Sequence, residues 1–226
     1  MQEPFHYLTC VDPMPLEDSA RLLDQLYWIT LFAVIVSSAS AVLMAGFKQY
    51  DLFGVVIIAI ATGLGGGSLR DMLLDREVFW IRDHIFFAAS LISAIGVFLA
   101  ARWIRISHRL FLIPDAAGLA TFGIAGTWVA LMADTHWLVA SFMGVMTGTM
   151  GGIFRDMLSN EPPVVFHSPL YATVSWSGSL LFIALLELGM EVAIAASIAG
   201  VAIFAARLVA LRYDIRLPRF HFRSDQ

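Results

Sequence analysis

Seven stretches of this chain contain no Asp, Glu, Lys or Arg: residues 26–47, 52–69, 85–101, 116–133, 137–154, 168–186 and 192–206. In hydrocarbon every backbone N–H and C=O must be satisfied within the protein, so apolar runs of this length fold as helices. Most reach the ~17–25 residues needed to cross a bilayer, and end charges that snorkel to the headgroups lengthen the last two. Hydrophobic residues make up 59% of the 226 and charged residues only 14%, with a mean hydropathy of +0.78, whereas soluble domains are roughly a quarter charged. The fold class expected is an all-α integral membrane protein with seven transmembrane helices.

Ahead of the first apolar stretch the chain carries Glu3, Asp12, Glu17, Asp18 and Asp24 against a single Arg21. That is the reverse of a basic signal-peptide start, and 26–47 is too long for its apolar core, so the first helix is expected to remain in the mature protein. Cys10 is the sole cysteine, which excludes an intramolecular disulfide and a cysteine-based metal site. Lys and Arg divide unevenly between the two sides of a seven-helix topology. One side holds Arg21, Arg70, Arg76 and Arg82; the other holds Lys48, Arg102, Arg105, Arg109, Arg155, Arg207, Arg212, Arg216, Arg219 and Arg223. The positive-inside rule makes the second side cytoplasmic, so the chain is expected in the inner (plasma) membrane, amino terminus outside and carboxyl terminus inside.

Two of the stretches end on the same motif. Thr62-Gly-Leu-Gly-Gly-Gly-Ser-Leu-Arg-Asp-Met-Leu recurs in one register as Thr147-Gly-Thr-Met-Gly-Gly-Ile-Phe-Arg-Asp-Met-Leu, and the step from Thr62 to Thr147 is the repeat interval. A repeat unit of three helices re-enters the membrane from the opposite face, so helices 1–3 and 4–6 are expected as two inverted three-helix repeats about an axis in the membrane plane. The organisation that follows is an extramembrane segment 1–25, repeat 1 over 26–105, repeat 2 over 106–188, helix 7 over 189–213 and a basic tail 214–226.

Gly63, Gly65, Gly66 and Gly67 cost roughly 1 kcal/mol each relative to Ala in a helix interior, so helix 2 is expected to kink or break there. Freed carbonyls that line water would then be cation-coordinating groups. Close helix packing through small residues is the other reading. Gly148, Gly151 and Gly152 place a second kink in helix 5, weakened by Met150. Residues i and i+1 point about 100° apart, so Arg70 and Asp71 are not expected to satisfy one another. Inversion puts Arg70 and Arg155 toward opposite faces, which makes pairs across the halves, Arg70 with Asp156 or Arg155 with Asp71, poor candidates. Each arginine either snorkels from a helix carboxyl end or lines a pathway. Asp115 follows Pro114 and either caps helix 4 or, because 110–113 is also apolar, stands within the membrane as a carboxylate that attracts cations.

Ser37, Ser38 and Ser40 in helix 1 and Gly118, Gly123 and Gly126 in helix 4 form small-residue faces suited to helix contact. Tyr27, Trp28, Trp80, Trp103 and Trp137 near span ends read as interface anchors. His108, His136 and His167 lack ligand spacing.

The three-plus-three-plus-one helix order, with 65–71 and 151–156 at matching places and Asp115-Ala-Ala-Gly-Leu-Ala before the second, resembles prokaryotic members of the trimeric intracellular cation (TRIC) channel family. The likeness covers nearly all of the chain beyond residue 25. It implies a homotrimer whose subunits each hold a water-filled pathway between helices 2 and 5, passing monovalent cations, chiefly K⁺, with no cofactor and no bound metal. Carried over by position, the glycine clusters are the kinks, and Arg70, Asp71, Arg155 and Asp156 frame the pathway. The Lys-Glu-Val motif of animal members is absent, so their lipid or Ca²⁺ regulation is not implied.

Arginines beside a cation path repel cations unless they pair with carboxylates or lipid phosphates. Relatives also carry the label glycine transporter, and broken helices in inverted repeats suit a secondary transporter of a small amino acid equally well. A non-conducting scaffold would gain nothing from buried charge, which costs ~2.5–3.5 kcal/mol per residue on insertion scales. No nucleophile–base pair or metal-ligand spacing points to an enzyme, and Gly-Leu-Gly-Gly-Gly lacks the strand and lysine of a phosphate-binding loop. Nucleic acid is not an expected partner. The arginines from Arg207 to Arg223 read as a juxtamembrane anchor to anionic lipid.

Overall fold

A computed structural model describes residues 16–101, 103, 110–168 and 170–215. Among them every regular element is helical. The long helices are α1 (Leu16–Ala45), α2 (Leu52–Leu73), α3 (His84–Ala101), α4 (Leu112–Met132), α5 (Trp137–Leu158), α6 (Ala172–Glu187) and α7 (Val192–Tyr213). Six are long and apolar enough to cross a membrane, whereas α6 is apolar but shorter. The helix α1 starts inside the segment expected to be extramembrane; 1–15 and the tail 216–226 lie outside the described residues, as do Cys10, Arg102, Arg105, Arg109 and His108.

The repeat governs backbone detail as well as sequence. Both ends of α2, 52 and 73, map onto both ends of α5, 137 and 158. Each helix is entered through a left-handed residue, Gln49 (φ 56°) and Asp134 (φ 54°), and left through another, Asp75 (φ 50°) and Asn160 (φ 51°). Asp and Asn tolerate that region better than most side chains. Asp51 caps α2 by accepting from the Gly54 N–H at 2.8 Å, and His136 caps α5 through Nδ1. A single helical turn follows each helix, Phe79–Arg82 and Val164–His167, again one repeat interval apart.

The helices α2 and α5 cross at the centre, and the glycines decide how closely. A methyl group on Gly66 would overlap the Thr147 carbonyl oxygen, and one on Gly151 would overlap that of Thr62. Thr62 and Thr147 open the two copies of the motif, so the contact is reciprocal. The later residue of one helix meets the earlier residue of the other; α2 and α5 are therefore antiparallel, which is the inversion expected of an odd-helix repeat.

Of the expected kink or break, a break does not occur. Both helices run unbroken through their glycines. The propensity cost of the cluster is offset by backbone-to-backbone approach, the dominant packing mode where lipid supplies no hydrophobic drive between helices. Similar contacts join the rest of the bundle: Gly118 lies against Ser37, Gly63 against Ser38, Gly123 against Ser175 and Gly178 against Ile203. The small-residue faces of α1 and α4 thus serve helix contact within the subunit.

Apolar clusters fill the gaps on each side of the crossing. One joins α1, α2 and α3 through Ala41, Val42, Val55, Ile58, Ala59 and Ala94. Another joins α4, α6 and α7 through Ala120, Ile124, Phe182, Ala199 and Ile203. Outward-facing Phe53 (72% exposed), Ile92 (70%) and Val201 (67%) leave an apolar exterior, as a lipid-facing surface requires.

Candidate functional site

Arg70 and Arg155 stand one turn beyond Gly66 and Gly151, on opposite sides of the crossing. With ~1.5 Å rise per residue they lie roughly 18 Å apart along the bundle. Neither snorkels: Arg70 is 3% exposed and Arg155 0%.

Each arginine pairs with the aspartate that follows it, contrary to the expectation from helical geometry. Arg70 Nε donates to Asp71 Oδ1 at 2.8 Å, and Arg155 Nε donates to Asp156 Oδ1 at 2.8 Å. The divergence of neighbouring Cβ directions limits short side chains. The long arginine stem instead folds back along the helix, and burial leaves the guanidinium no water to prefer. The second carboxylate oxygen of each aspartate then fixes the next helical turn. Phe79 N donates to Asp71 Oδ2 at 3.0 Å, and Val164 N to Asp156 Oδ2 at 2.7 Å. Arg76 N and Glu161 N close the matching loops onto the Asp71 and Asp156 carbonyls. The motif is thus a device that ends a buried helix, neutralises its arginine and reverses the chain.

The two ends differ in what else they hold. Arg155 Nη1 donates to Asp115 Oδ1 at 2.6 Å and to Ser40 Oγ at 3.2 Å, and the guanidinium lies 5.2 Å from the Phe111 ring centroid. Asp115 stands in the first turn of α4, is 6% exposed and accepts from the Arg155 guanidinium. Arg155 and Asp115 both belong to the second half, in keeping with the expectation against pairs across the halves. The Tyr171 hydroxyl, Arg155 Nη2 and Asp115 Oδ1 converge around Gly152, at 3.3, 3.6 and 3.8 Å from where its Cβ would stand. At the other end, among the described residues, Arg70 has Asp71 as its one carboxylate partner, with the Phe79 ring centroid at 5.8 Å.

Arg207 is not the lipid anchor expected of it. It lies within α7, 0% exposed, donates to Ser168 Oγ at 2.6 Å and stacks 4.5 Å from the Tyr171 ring centroid. The available signal is the apolar run Leu-Val-Ala-Leu that continues after it to Arg212. Sequence reasoning also leaves Ser40, Tyr171 and Ser168 outside the site. Of the interface anchors, Trp28 and Trp103 are exposed at 59% and 89%, while Trp80 donates to Ser68 within the Arg70 end at 2.8 Å. Among the described residues no group of His, Cys, Asp or Glu is placed to hold a metal ion.

Two antiparallel copies of a three-helix unit, joined by a glycine crossing with a buried Arg-Asp pair at each end, define a polytopic membrane protein of the inverted-repeat class. The chain belongs to the family described as glycine transporter, whose model matches it twice, over residues 27–102 and 112–187, and whose fold is that of the prokaryotic TRIC channels. The two matched segments themselves stand one repeat interval apart. A membrane protein of Vibrio cholerae, UPF0126, is 37% identical over 90% of this chain and 87% of its own length. The inner membrane protein YadS of Escherichia coli is 34% identical over 86% of this chain and 95% of its own, and this chain is likewise a multi-pass inner membrane protein. The TRIC trimeric intracellular cation channel orthologue from Rhodobacter sphaeroides superposes with a TM-score of 0.80 at 32% identity, over 84% of this chain and 98% of that one. A prokaryotic TRIC channel solved in 0.5 M KCl superposes at 0.78 with 25% identity, over 85% and 98%. These structural neighbours are channels, not enzymes.

Proposed function

We propose that this chain is a monovalent cation channel, passing chiefly K⁺, and that it assembles as a homotrimer with one pathway in each subunit between α2 and α5. The fold shared with cation channels supplies the class. The observation that carries the reading from fold to cation is the pairing of each motif arginine with a carboxylate: Arg70 with Asp71, and Arg155 with both Asp115 and Asp156. Two bare guanidinium groups beside a narrow path would favour anions, whereas neutralised ones leave cation passage open. The reciprocal contact at Gly66 and Gly151 keeps α2 and α5 too close for an ion between them, so conduction requires these helices to part or bend there. By the charge bias the Arg155 end, with the Lys48–Glu161 ion pair, faces the cytoplasm, and the Arg70 end faces outward.

The family description favours a second reading, a secondary transporter of a small amino acid such as glycine. Purified protein in liposomes separates the two. Potential-driven K⁺ flux without saturable glycine uptake is the result the channel reading requires. Saturable glycine uptake with no K⁺ flux would replace it with the transporter.

A further inference from the structure

Six charged side chains are buried among the described residues: Arg70, Asp71, Asp115, Arg155, Asp156 and Arg207. The Arg70 end of the crossing holds one of each sign, Arg70 and Asp71. The motif supplies the same pair at the other end, Arg155 and Asp156, and Asp115 adds a second carboxylate there. Asp115 has no counterpart in the first half, where the chain carries Thr30 one repeat earlier. Arg207 has none either, because α7 stands outside both matched segments. The two unmatched charges come together. Arg207 stacks 4.5 Å from the Tyr171 ring centroid, the Tyr171 hydroxyl and Asp115 Oδ1 converge beside Gly152, and Arg207 lies near enough to Asp115 for their charges to attract. Ser168 Oγ holds the guanidinium in place, accepting from Nη2 at 2.6 Å.

We propose that Arg207 sets the charge preference of the pathway at the Arg155 end, by balancing the carboxylate that this end carries in excess. The inference rests on the channel reading and deepens it. Without Arg207 the Arg155 end would hold one guanidinium against two carboxylates, a net negative charge buried where salt screens poorly. Such a charge attracts cations and repels anions well beyond contact distance. With Arg207 in place both ends of the crossing are neutral. A bond to Ser168 needs only an N–H, which an amide also supplies, so the excess carboxylate is what calls for a permanent cation at this position. Arg207 touches no ion on this account; it is a positioning residue that acts through Asp115 and the field of the cluster.

The test is a double-mutant cycle on the full chain, read both as reversal potential under a KCl gradient in planar bilayers and as melting temperature in detergent. Arg207→Gln should raise the K⁺ to Cl⁻ permeability ratio about twofold or more, the effect of a unit charge ~10 Å away even at the dielectric constant of water. Asp115→Asn should lower the ratio by a similar factor, and the double variant should fall between the two. Arg207→Lys keeps the charge and should reverse the change seen in Arg207→Gln. The double variant should also lose less melting temperature than the two single variants together, because neither charge is then left without its opposite. Should Arg207→Gln not fold, the double variant should. A merely structural arginine would lower the melting temperature and leave the reversal potential where it was. An unmoved or lowered ratio in folded Arg207→Gln, additive losses of stability, or a double variant that fails to fold overturns the proposal. Wild-type protein that passes no current would sink the channel reading instead, and the melting cycle then decides the balance of Arg207 with Asp115 by itself.

Discussion

At the scale of single residues, each buried motif arginine is held by the aspartate beside it. Asp115 is the sharpest case, because Arg155 keeps Asp156 when Asp115 is changed. Removing one partner of a buried pair costs ~3–5 kcal/mol, and Asp115→Asn falls at the lower end of that range. For a chain of this size a loss of about 3 kcal/mol lowers the melting temperature by roughly 6–12 °C, and an unchanged melting curve in detergent would contradict the pairing. Loss of that carboxylate is also expected to lessen cation preference, read as a smaller reversal potential under a KCl gradient. The positions of these charges were legible in the sequence; their partners were not. Helical periodicity reports where a Cβ points, whereas the arginine's reach lets it turn back to its immediate neighbour once water is gone. Arg207 was hidden for a related reason, since a charge near the end of an apolar run looks the same whether it snorkels or turns inward to Ser168 and Tyr171.

At the scale of elements, the glycines act through contact. Gly66 and Gly151 meet backbone carbonyls that cannot move aside, whereas Gly96 in α3 and Gly200 in α7 have nothing within 4 Å of an added Cβ. The same substitution should therefore have opposite effects. Gly66→Ala or Gly151→Ala wedges α2 and α5 apart, with an overpacking cost of about 1–3 kcal/mol. Gly96→Ala and Gly200→Ala should be neutral or stabilising by up to ~1 kcal/mol through helix propensity. Thermal unfolding of the four variants checks this, and equal effects at crossing and control sites would remove the crossing from the account. Because conduction requires α2 and α5 to part, the wedge in Gly66→Ala should raise the open probability in single-channel recording, and an unchanged record would remove the crossing from the mechanism. The glycine cluster is conspicuous in the sequence, with a kink or break and close packing as rival readings. Propensity alone favours the break, and only the partner carbonyls of Thr62 and Thr147 show why the helices continue.

At the scale of the whole molecule, the repeat was the most legible feature. Helix parity within one repeat unit predicts antiparallel halves, and the same interval reappears in the caps, left-handed residues and helical turns that flank α2 and α5. Its departures carry as much meaning as its regularities. Asp115 repeats as Thr30, Ser40 as Ala125 and Tyr171 as Phe86, so the Arg155 end gathers a second carboxylate and two hydroxyls while the Arg70 end borders a recess. The proposed orientation puts that recess outside. Green fluorescent protein fused to the carboxyl terminus should fluoresce and alkaline phosphatase fused there should be inactive; the converse pattern would invert the assignment.

The central claim is that paired arginines leave a pathway for cations in each subunit. Purified protein in a planar bilayer under a KCl gradient tests it most directly. The account predicts unitary currents that reverse near the K⁺ equilibrium potential. Reversal near the Cl⁻ potential, or a bilayer that stays silent with correctly folded protein, would contradict it.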